Sequence, residues 1–417
     1  MKIFYSIAIV AFLSIGFYFL IKKEKASNTQ QGISNKAFAD SLSKPEKNIF
    51  VYHDPNPFLA KALKEFEGFI NTAIANRQAP GAAIVVVKDT SIIFLKGYGL
   101  RDTNKPDSVN TRTIFRIGSV SKSISATLAA VLVNEGVLHW DDTVINYLPA
   151  FKLKSEEATK KITLRHVLSH TMGLPYHAFT NLVEHNTPLD TLINNLHRLD
   201  LVGEPGQVYS YQNVGFSLIG KIIEAATQKK FEEALSQKLF LPLQMKDASA
   251  TYEKIKSARN VAMPHFFTRP SPISDTYYSV APAGGVNASA QDLGVWLKLL
   301  LGNRPDVLPK KQIDEIFEPQ VKAIARNHNF WQWKRVRQSY YALGWRIITF
   351  ADDTIAYHGG FVNNYRCEVA VNRKKKIAIA LLVNSPGMLA DRGIPAFFKI
   401  YEHYLDSINR WKPKRTL

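Results

Sequence analysis

The sequence predicts an α/β fold of the α+β kind: an antiparallel sheet of five strands or more, flanked by helices, with a mainly helical lobe beside it. Three observations predict it. Strand-like runs gather near the two ends of the chain, at 81–95 and 341–383, and helical patterns fill the middle. The first two runs are separated by Lys88, Asp89 and Thr90, which read as a hairpin turn. Helical patterns also stand before the first strand and after the last, placed to cover one face of a joined sheet. A cleft between two such lobes is the usual place for a site.

The elements follow in order. From Ile3 to Ile21 the chain is almost wholly apolar, interrupted by Ser6, Ser14 and Gly16. As a helix this run would be about 28 Å long at ~1.5 Å per residue, close to a bilayer core of ~30 Å. No Ala-x-Ala cleavage site follows it; Lys22, Lys23, Glu24 and Lys25 do. Residues 1–21 therefore read as an uncleaved membrane anchor, with a cleaved signal as the runner-up. Residues 22–55 read as a polar linker and 56–417 as the folded body. Taken literally, the lysines behind the apolar run put the body in the cytoplasm. The chemistry argued below needs it on the periplasmic or extracellular side, and that is the expectation adopted.

In the body, Leu59, Leu63, Phe66, Phe69, Ile70 and Ala73 recur at helical spacing over Phe58–Asn76. Gly81–Val87 and Ser91–Leu95 form the hairpin. A helix is expected from Ser119 to Asn134 and a short one over Thr163–His170. Further helices are expected over Leu189–Leu196, Val214–Ala226, Phe231–Leu239, Ala290–Leu301 and Lys310–Phe317. Strands return at Tyr341–Phe350, Thr354–His358, Arg366–Asn372 and Lys376–Val383, and a last helix spans about Ile394–Leu405.

Composition narrows the function. Of 417 residues 46% are hydrophobic, enough for a sizeable core. The net charge of +18 favours anionic surroundings, but the basic residues are scattered. No zinc-finger spacing or aromatic-basic ribonucleoprotein pattern is present, so nucleic acid is not expected as a partner. The lone Cys367 excludes an internal disulfide and reads as a buried thiol.

Chemistry is carried by three segments. In Gly118-Ser119-Val120-Ser121-Lys122, the serine and lysine are three apart and share one helical face. A serine hydroxyl needs a base to become a nucleophile, and a desolvated lysine with a lowered pKa is one. Alone, the pair also fits a solvated helix face. In Tyr209-Ser210-Tyr211-Gln212-Asn213, a phenol that can relay a proton and an amide that can hold a carbonyl stand two apart before a helix. His358-Gly359-Gly360 ends a strand pattern, where glycines admit a substrate backbone.

In this order and spacing, Ser119-Val-Ser-Lys122, Tyr211-Gln-Asn213 and His358-Gly-Gly360 resemble the three motifs of class C β-lactamases and the related D,D-peptidases and esterases. The flanks Thr163–Pro175 and Pro282-Ala-Gly-Gly285 resemble theirs too, so the likeness covers roughly 58–405. It implies a β-lactamase/transpeptidase-like fold and a serine hydrolase working through an acyl-enzyme on Ser119. Lys122 and Tyr211 would move protons, and Asn213 with His358, Gly359 and Gly360 would bind substrate. The backbone N–H groups of Ser119 and Phe361 would form the oxyanion hole. The substrate would be a peptide, an ester or a β-lactam, cell-wall peptide included, with no cofactor and no metal. Many β-lactamases of the family carry Lys-Thr-Gly at the third motif. Lysine gives a permanent charge for a substrate carboxylate, whereas His358 is mostly neutral at pH 7. His-x-Gly is closer to the peptidase and esterase branches.

Other features read as decoys. His166 and His170 are spaced like zinc ligands, but Val167 stands where a metalloprotease has Glu. Gly215–Gly220 misses the nucleophile elbow by one place. Asn287-Ala-Ser289 matches a glycosylation acceptor, and Asp141-Asp142 reads as a turn cap after Trp140. The rival to an enzyme is an anchored binding or regulatory protein on the same fold; it has no need of both Ser119 and Lys122.

Overall fold

A computed structural model describes residues 56–323 and 332–412. The expected anchor at 1–21 and the linker up to residue 55 lie outside the described residues. Among the described residues no helix is long and apolar enough to cross a membrane.

The body opens with helix α1 (Pro57–Ala75). Asn56 caps it by accepting the N–H groups of Phe58 and Leu59, and Pro57 at the first position has no N–H to leave unsatisfied. The early hairpin is β1 (Gly81–Lys88) and β2 (Ser91–Gly99), longer than the sequence pattern predicts. Two short strands, β3 (Phe115–Arg116) and β6 (Asn287–Ala288), pair with each other away from the main sheet, and β4 (His265–Phe266) pairs with β5 (Arg269–Pro270). The late meander runs through β7 (Val321–Lys322), β8 (Gln338–Tyr341), β9 (Arg346–Thr349), β10 (Thr354–Val362), β11 (Tyr365–Asn372) and β12 (Ile377–Val383).

Hairpin and meander join into one eight-stranded sheet in the order β2-β1-β12-β11-β10-β9-β8-β7, antiparallel at every junction. The join is β1 against β12, from Ala82↔Val383 to Lys88↔Ile377. β12 is apolar throughout and β1 is so up to Val87, because both sheet faces are buried. Ala82, Ile84 and Val86 face one core, and Ala83, Val85 and Val87 face the other. The first face is covered by the two terminal helices, α1 and α7 (Met388–Arg410), with the Phe66 and Phe397 rings edge to face at 5.2 Å. The second face carries the helical lobe and α6 (Ala290–Leu300).

Three sequence expectations are corrected. The run Tyr341–Phe350 is not one strand: Gly344, at φ +72, turns the chain between β8 and β9. A side chain there would also strike the Lys122 carbonyl, since an added Cβ would stand 2.6 Å from it. Phe231–Leu239 is helical only to Leu235 and continues as a π-helical turn over Ser236–Phe240. The third motif does not end a strand; β10 continues through Gly359 and Gly360 to Val362.

Candidate active site

The serine segment is held by β3, whose pairing with β6 fixes its entry, and by Gly118 at φ +52. A 3₁₀ turn over Gly118–Val120 then feeds helix α2 (Ser121–Asn134). Residues 121 to 132 of α2 are all buried, so it is a central helix rather than an amphipathic one. Small hydroxyls lock it in place. Ser123 donates to the Gly344 carbonyl at 2.7 Å and Ser125 to the Pro282 carbonyl at 2.8 Å, while Ser121 accepts the Val286 N–H at 3.0 Å.

Lys122 is thereby carried into the interior with its amine fully buried. Its Nζ stands 3.4 Å from Ser119 Oγ, 2.7 Å from Asn213 Oδ1 and 2.8 Å from the Ala283 carbonyl. Ala283 lies in a short helical turn, α5 (Ala281–Gly284), within the Pro282–Gly285 flank. Asn213 is the first residue of helix α4 (Asn213–Thr227), capped by Gln212, whose side chain accepts the Val214 N–H. The Tyr211 ring lies 4.6 Å from the lysine amine.

Burial pushes the Lys122 pKa well below its usual value, and the Arg346 cation pushes it the same way. Both effects favour the uncharged form of the amine. A neutral amine has two N–H donors and one lone pair. In that form Asn213 and Ala283 would take the donors, and the lone pair would face the Ser119 hydroxyl. Burial raises the Tyr211 phenol, and neither Arg346 nor its hydrogen bond to Ser119 offsets that, so it keeps its proton.

His170 supports this corner. It sits at φ +59, its Nδ1 accepts the Gln212 N–H at 3.2 Å, and its ring lies 4.3 Å from that of Tyr211. His166 instead closes the capping box of α3 (Leu164–Leu168) with Thr163. The pair thus packs and caps. Among the described residues no group of three His, Cys, Asp or Glu side chains could hold a metal ion. Asn287 is fully buried and bonded to Ser249, Thr251 and Tyr278. Asp142 accepts the His139 N–H as a turn cap, and Asp141 pairs with Arg165.

Strand β10 closes the site from the other side. An added Cβ at Gly360 would stand 2.0 Å from the Ile117 carbonyl and 3.1 Å from Ser119 N. One at Gly118 would stand 2.8 Å from Phe361 N. The two backbones thus come together beside Ser119 and Phe361, whose N–H groups the resemblance implies as oxyanion donors. Gly359 faces the opposite side of the sheet, towards Glu368 and Tyr357.

His358 differs from expectation. It is fully buried, with Nδ1 3.0 Å from the Gly359 carbonyl and Nε2 3.0 Å from Tyr341 Oη. A carbonyl only accepts, so Nδ1 carries the proton and Nε2 receives the Tyr341 hydroxyl. Burial, Arg346 and Lys122 all push its pKa well below the usual histidine value. The ring is neutral and both nitrogens are engaged, so it offers no free donor to substrate.

Arg346 is the group the motifs miss. Its Nη1 donates to the Tyr209 hydroxyl at 2.9 Å, and its guanidinium carbon stands 5.3 Å from the Tyr211 ring centre and 5.6 Å from that of Tyr341. The sequence signal was one cation inside the apolar strand run Leu343–Ile348.

A half-buried serine beside a buried lysine at a helix start, a tyrosine against the lysine and a glycine strand across from the serine define the class: the penicillin-binding-like serine hydrolase fold. Within it the chain belongs to the beta-lactamase family, whose model matches residues 66–399. The chain is 24% identical over 325 residues to the protein flp of Staphylococcus aureus (strain MW2), covering 77% of this chain and 63% of that one. It is 24% identical over 363 residues to the unguisins hydrolase ungD' of Aspergillus campestris, covering 82% and 65%. It thus spans less than two thirds of the length of these curated relatives. The octameric penicillin-binding protein homologue from Pyrococcus abyssi has a similar structure, with a TM-score of 0.71 at 25% identity, covering 82% of this chain and 77% of that one.

Proposed function

We propose that the chain is a serine acyl hydrolase that acts on a peptide, ester or β-lactam carbonyl through an acyl-enzyme on Ser119. The observation that carries this reading is the fully buried Lys122 amine 3.4 Å from Ser119 Oγ, held by Asn213 Oδ1 and the Ala283 carbonyl. As Ser119 Oγ bonds to the substrate carbonyl carbon, its proton passes to the Lys122 lone pair. The carbonyl oxygen becomes an oxyanion held by the Ser119 and Phe361 N–H groups. Collapse breaks the bond to the leaving group, which takes a proton from the Tyr211 phenol, and the lysine ammonium returns one to Tyr211. Water then attacks the acyl-serine and its proton passes to Lys122; as the acyl–Oγ bond breaks, Lys122 gives that proton to Ser119 Oγ and the acid leaves. Asn213 holds the amine in place. A hydrolase and a penicillin-binding homologue among the related proteins support the chemistry.

The test is covalent labelling of the full-length protein with a fluorophosphonate and a fluorescent penicillin, beside Ser119→Ala. Label that disappears in the variant is the expected result; a penicillin label adds peptidase or lactamase chemistry, and a fluorophosphonate label alone narrows it to an esterase. A folded protein that takes up neither probe is a binding or regulatory member of the fold, and the assignment of Ser119 fails.

Residues 1–21 are proposed as a membrane anchor, 22–55 as its tether and 56–417 as a body outside the cytoplasmic membrane, because the apolar run Ile3–Ile21 matches a bilayer core and envelope substrates lie beyond it. A carboxyl-terminal alkaline phosphatase fusion is expected to be active. Activity only from a cytoplasmic β-galactosidase fusion would reverse the orientation.

A further inference from the structure

We propose that Arg116 is the positioning residue of the oxyanion hole: it ties the segment that carries Ser119 to the strand end that carries Phe361. The inference rests on the acyl-serine reading above and adds to it what sets the distance between the two N–H groups.

Three observations carry it. First, Arg116 is a fully buried cation whose hydrogen-bond partners are all neutral. Its Nη1 donates to Asn363 Oδ1 at 2.6 Å and to the Ser274 carbonyl at 2.9 Å, and its Nη2 donates to the Thr276 carbonyl at 2.6 Å. Its guanidinium carbon stands 4.4 Å from the Tyr278 ring centre. Burial lowers its pKa from the usual arginine value, against the pull of Tyr278, Tyr365, Asp275 and Tyr277. A buried charge without a counter-charge is destabilising, and an apolar side chain would fill a plain core position better. The side chain is sealed from solvent, so it does not itself touch a substrate.

Second, the brace spans the two halves of the proposed oxyanion hole. Arg116 lies three residues before Ser119, and Asn363 two residues after Phe361. Asn363 and Asn364, at φ +43 and +65, make the turn from β10 to β11. Gly118 and Gly360 let the two backbones approach, but steric contact only stops them from coming closer. Among the described residues no backbone hydrogen bond joins 117–119 to 359–361. The bond from Arg116 to Asn363 supplies the pull, and as a charge-assisted one it is strong.

Third, the brace is itself held. Thr276 Oγ1 donates to the same Asn363 Oδ1 at 3.0 Å. The Tyr278 hydroxyl donates to Asn287 Oδ1 at 2.7 Å, and Asn287 stands opposite Arg116 in the β3–β6 pair. Packing and hydrogen bonds thus fix the guanidinium, as a group that sets the geometry of another must be fixed.

The experiment uses the full-length protein in detergent with p-nitrophenyl cinnamate as acyl donor. Arg116→Lys keeps the charge and loses the fork. It is expected to lower kcat by about 10²-fold, the scale of a ~1 Å misplacement, with KM nearly unchanged. A change at a buried arginine can stop the protein folding, so the half-buried Asn363 reads the same bond from its other end. Asn363→Gly removes the acceptor at a φ that glycine accepts, and is expected to be as slow as Arg116→Lys. Asn363→Asp keeps the acceptor and tolerates the same φ, and is expected to stay within a few-fold of wild type. A merely structural role would not move the ester carbonyl stretch of the cinnamoyl-enzyme. That stretch is expected to rise in frequency in the two slow variants, as the hydrogen bonds from Ser119 and Phe361 lengthen, and to stay in place in Asn363→Asp. Wild-type kcat in Asn363→Gly, or slow acylation with the stretch unmoved, overturns the inference. If the wild type forms no acyl-enzyme with this ester, a penicillin or a fluorophosphonate, amide hydrogen exchange over 360–364 decides. Faster exchange in Asn363→Gly and not in Asn363→Asp leaves the brace standing while the hydrolase reading falls; unchanged exchange removes both.

Discussion

Replacing Lys122 with Met is expected to lower kcat/KM by about 10³- to 10⁴-fold, the upper part of the range for a positioned general base. Methionine fills a similar volume without an amine, so the Ser119 proton has no acceptor. The pH profile separates this role from a structural one. The active amine is neutral, so activity is lost as pH falls through the Lys122 pKa and is flat above it. Burial, with Arg346 adding to it, places that pKa well below the usual lysine value, so the plateau begins far below the pH at which an ordinary lysine would lose its proton. Residual activity in Lys122→Met has no such acid limb. Lys122→Arg, whose guanidinium does not deprotonate, is expected to be as slow as the methionine variant. An acid limb that survives in Lys122→Met would move the base to another group. Wild-type activity that climbs without levelling up to the pH of an exposed lysine would mean that the amine is charged at rest.

The parts of the site that were legible in the sequence are those that lie close together along the chain. Ser119 and Lys122 are one helical turn apart, and helix geometry alone puts them on one face. Tyr211 and Asn213 straddle the start of α4, which Gln212 marks as a cap. Features that depend on distant strands were not legible. The Tyr341–Phe350 run has strand composition throughout, and only the closeness of Gly344 to the carbonyl of Lys122 explains why the chain must turn there. His358 reads as a substrate ligand until Tyr341, 17 positions away, is seen to occupy its Nε2. Arg346 carries no motif at all; its meaning comes from Tyr209, 137 positions away. The sheet was legible in kind and not in extent, because short strands such as β7 owe their pairing to their neighbours rather than to their own pattern. The same logic applies to Ala283, a carbonyl that holds the amine of Lys122 from 161 positions away.

The adjoining glycines of the third motif are expected to fail in opposite ways when each is replaced by alanine. Gly360 faces the serine turn, where an added Cβ would stand 2.0 Å from the Ile117 carbonyl and 3.1 Å from Ser119 N. Both obstacles are backbone, so β10 and the 117–119 segment must separate, and with them the two N–H groups proposed to bind the oxyanion. Gly360→Ala is therefore expected to lose about 10²- to 10³-fold in kcat, the cost of one oxyanion donor. Its circular dichroism should stay native. Gly359 faces the other side, where an added Cβ would stand 2.6 Å from Glu368 Oε2 and 2.9 Å from Tyr357 Oη. There the methyl crowds a buried carboxylate that Tyr357 and Arg366 hydrogen-bond. Gly359→Ala is expected to lower the stability by about 1–3 kcal/mol, the usual penalty for overpacking, while kcat of the folded fraction stays within a few-fold of wild type. Urea unfolding and single-turnover acylation on the same two proteins read the two effects apart. If Gly360→Ala keeps wild-type acylation, the oxyanion is not held between β10 and the serine turn. If Gly359→Ala is the slow variant instead, the reacting face of the strand is the other one.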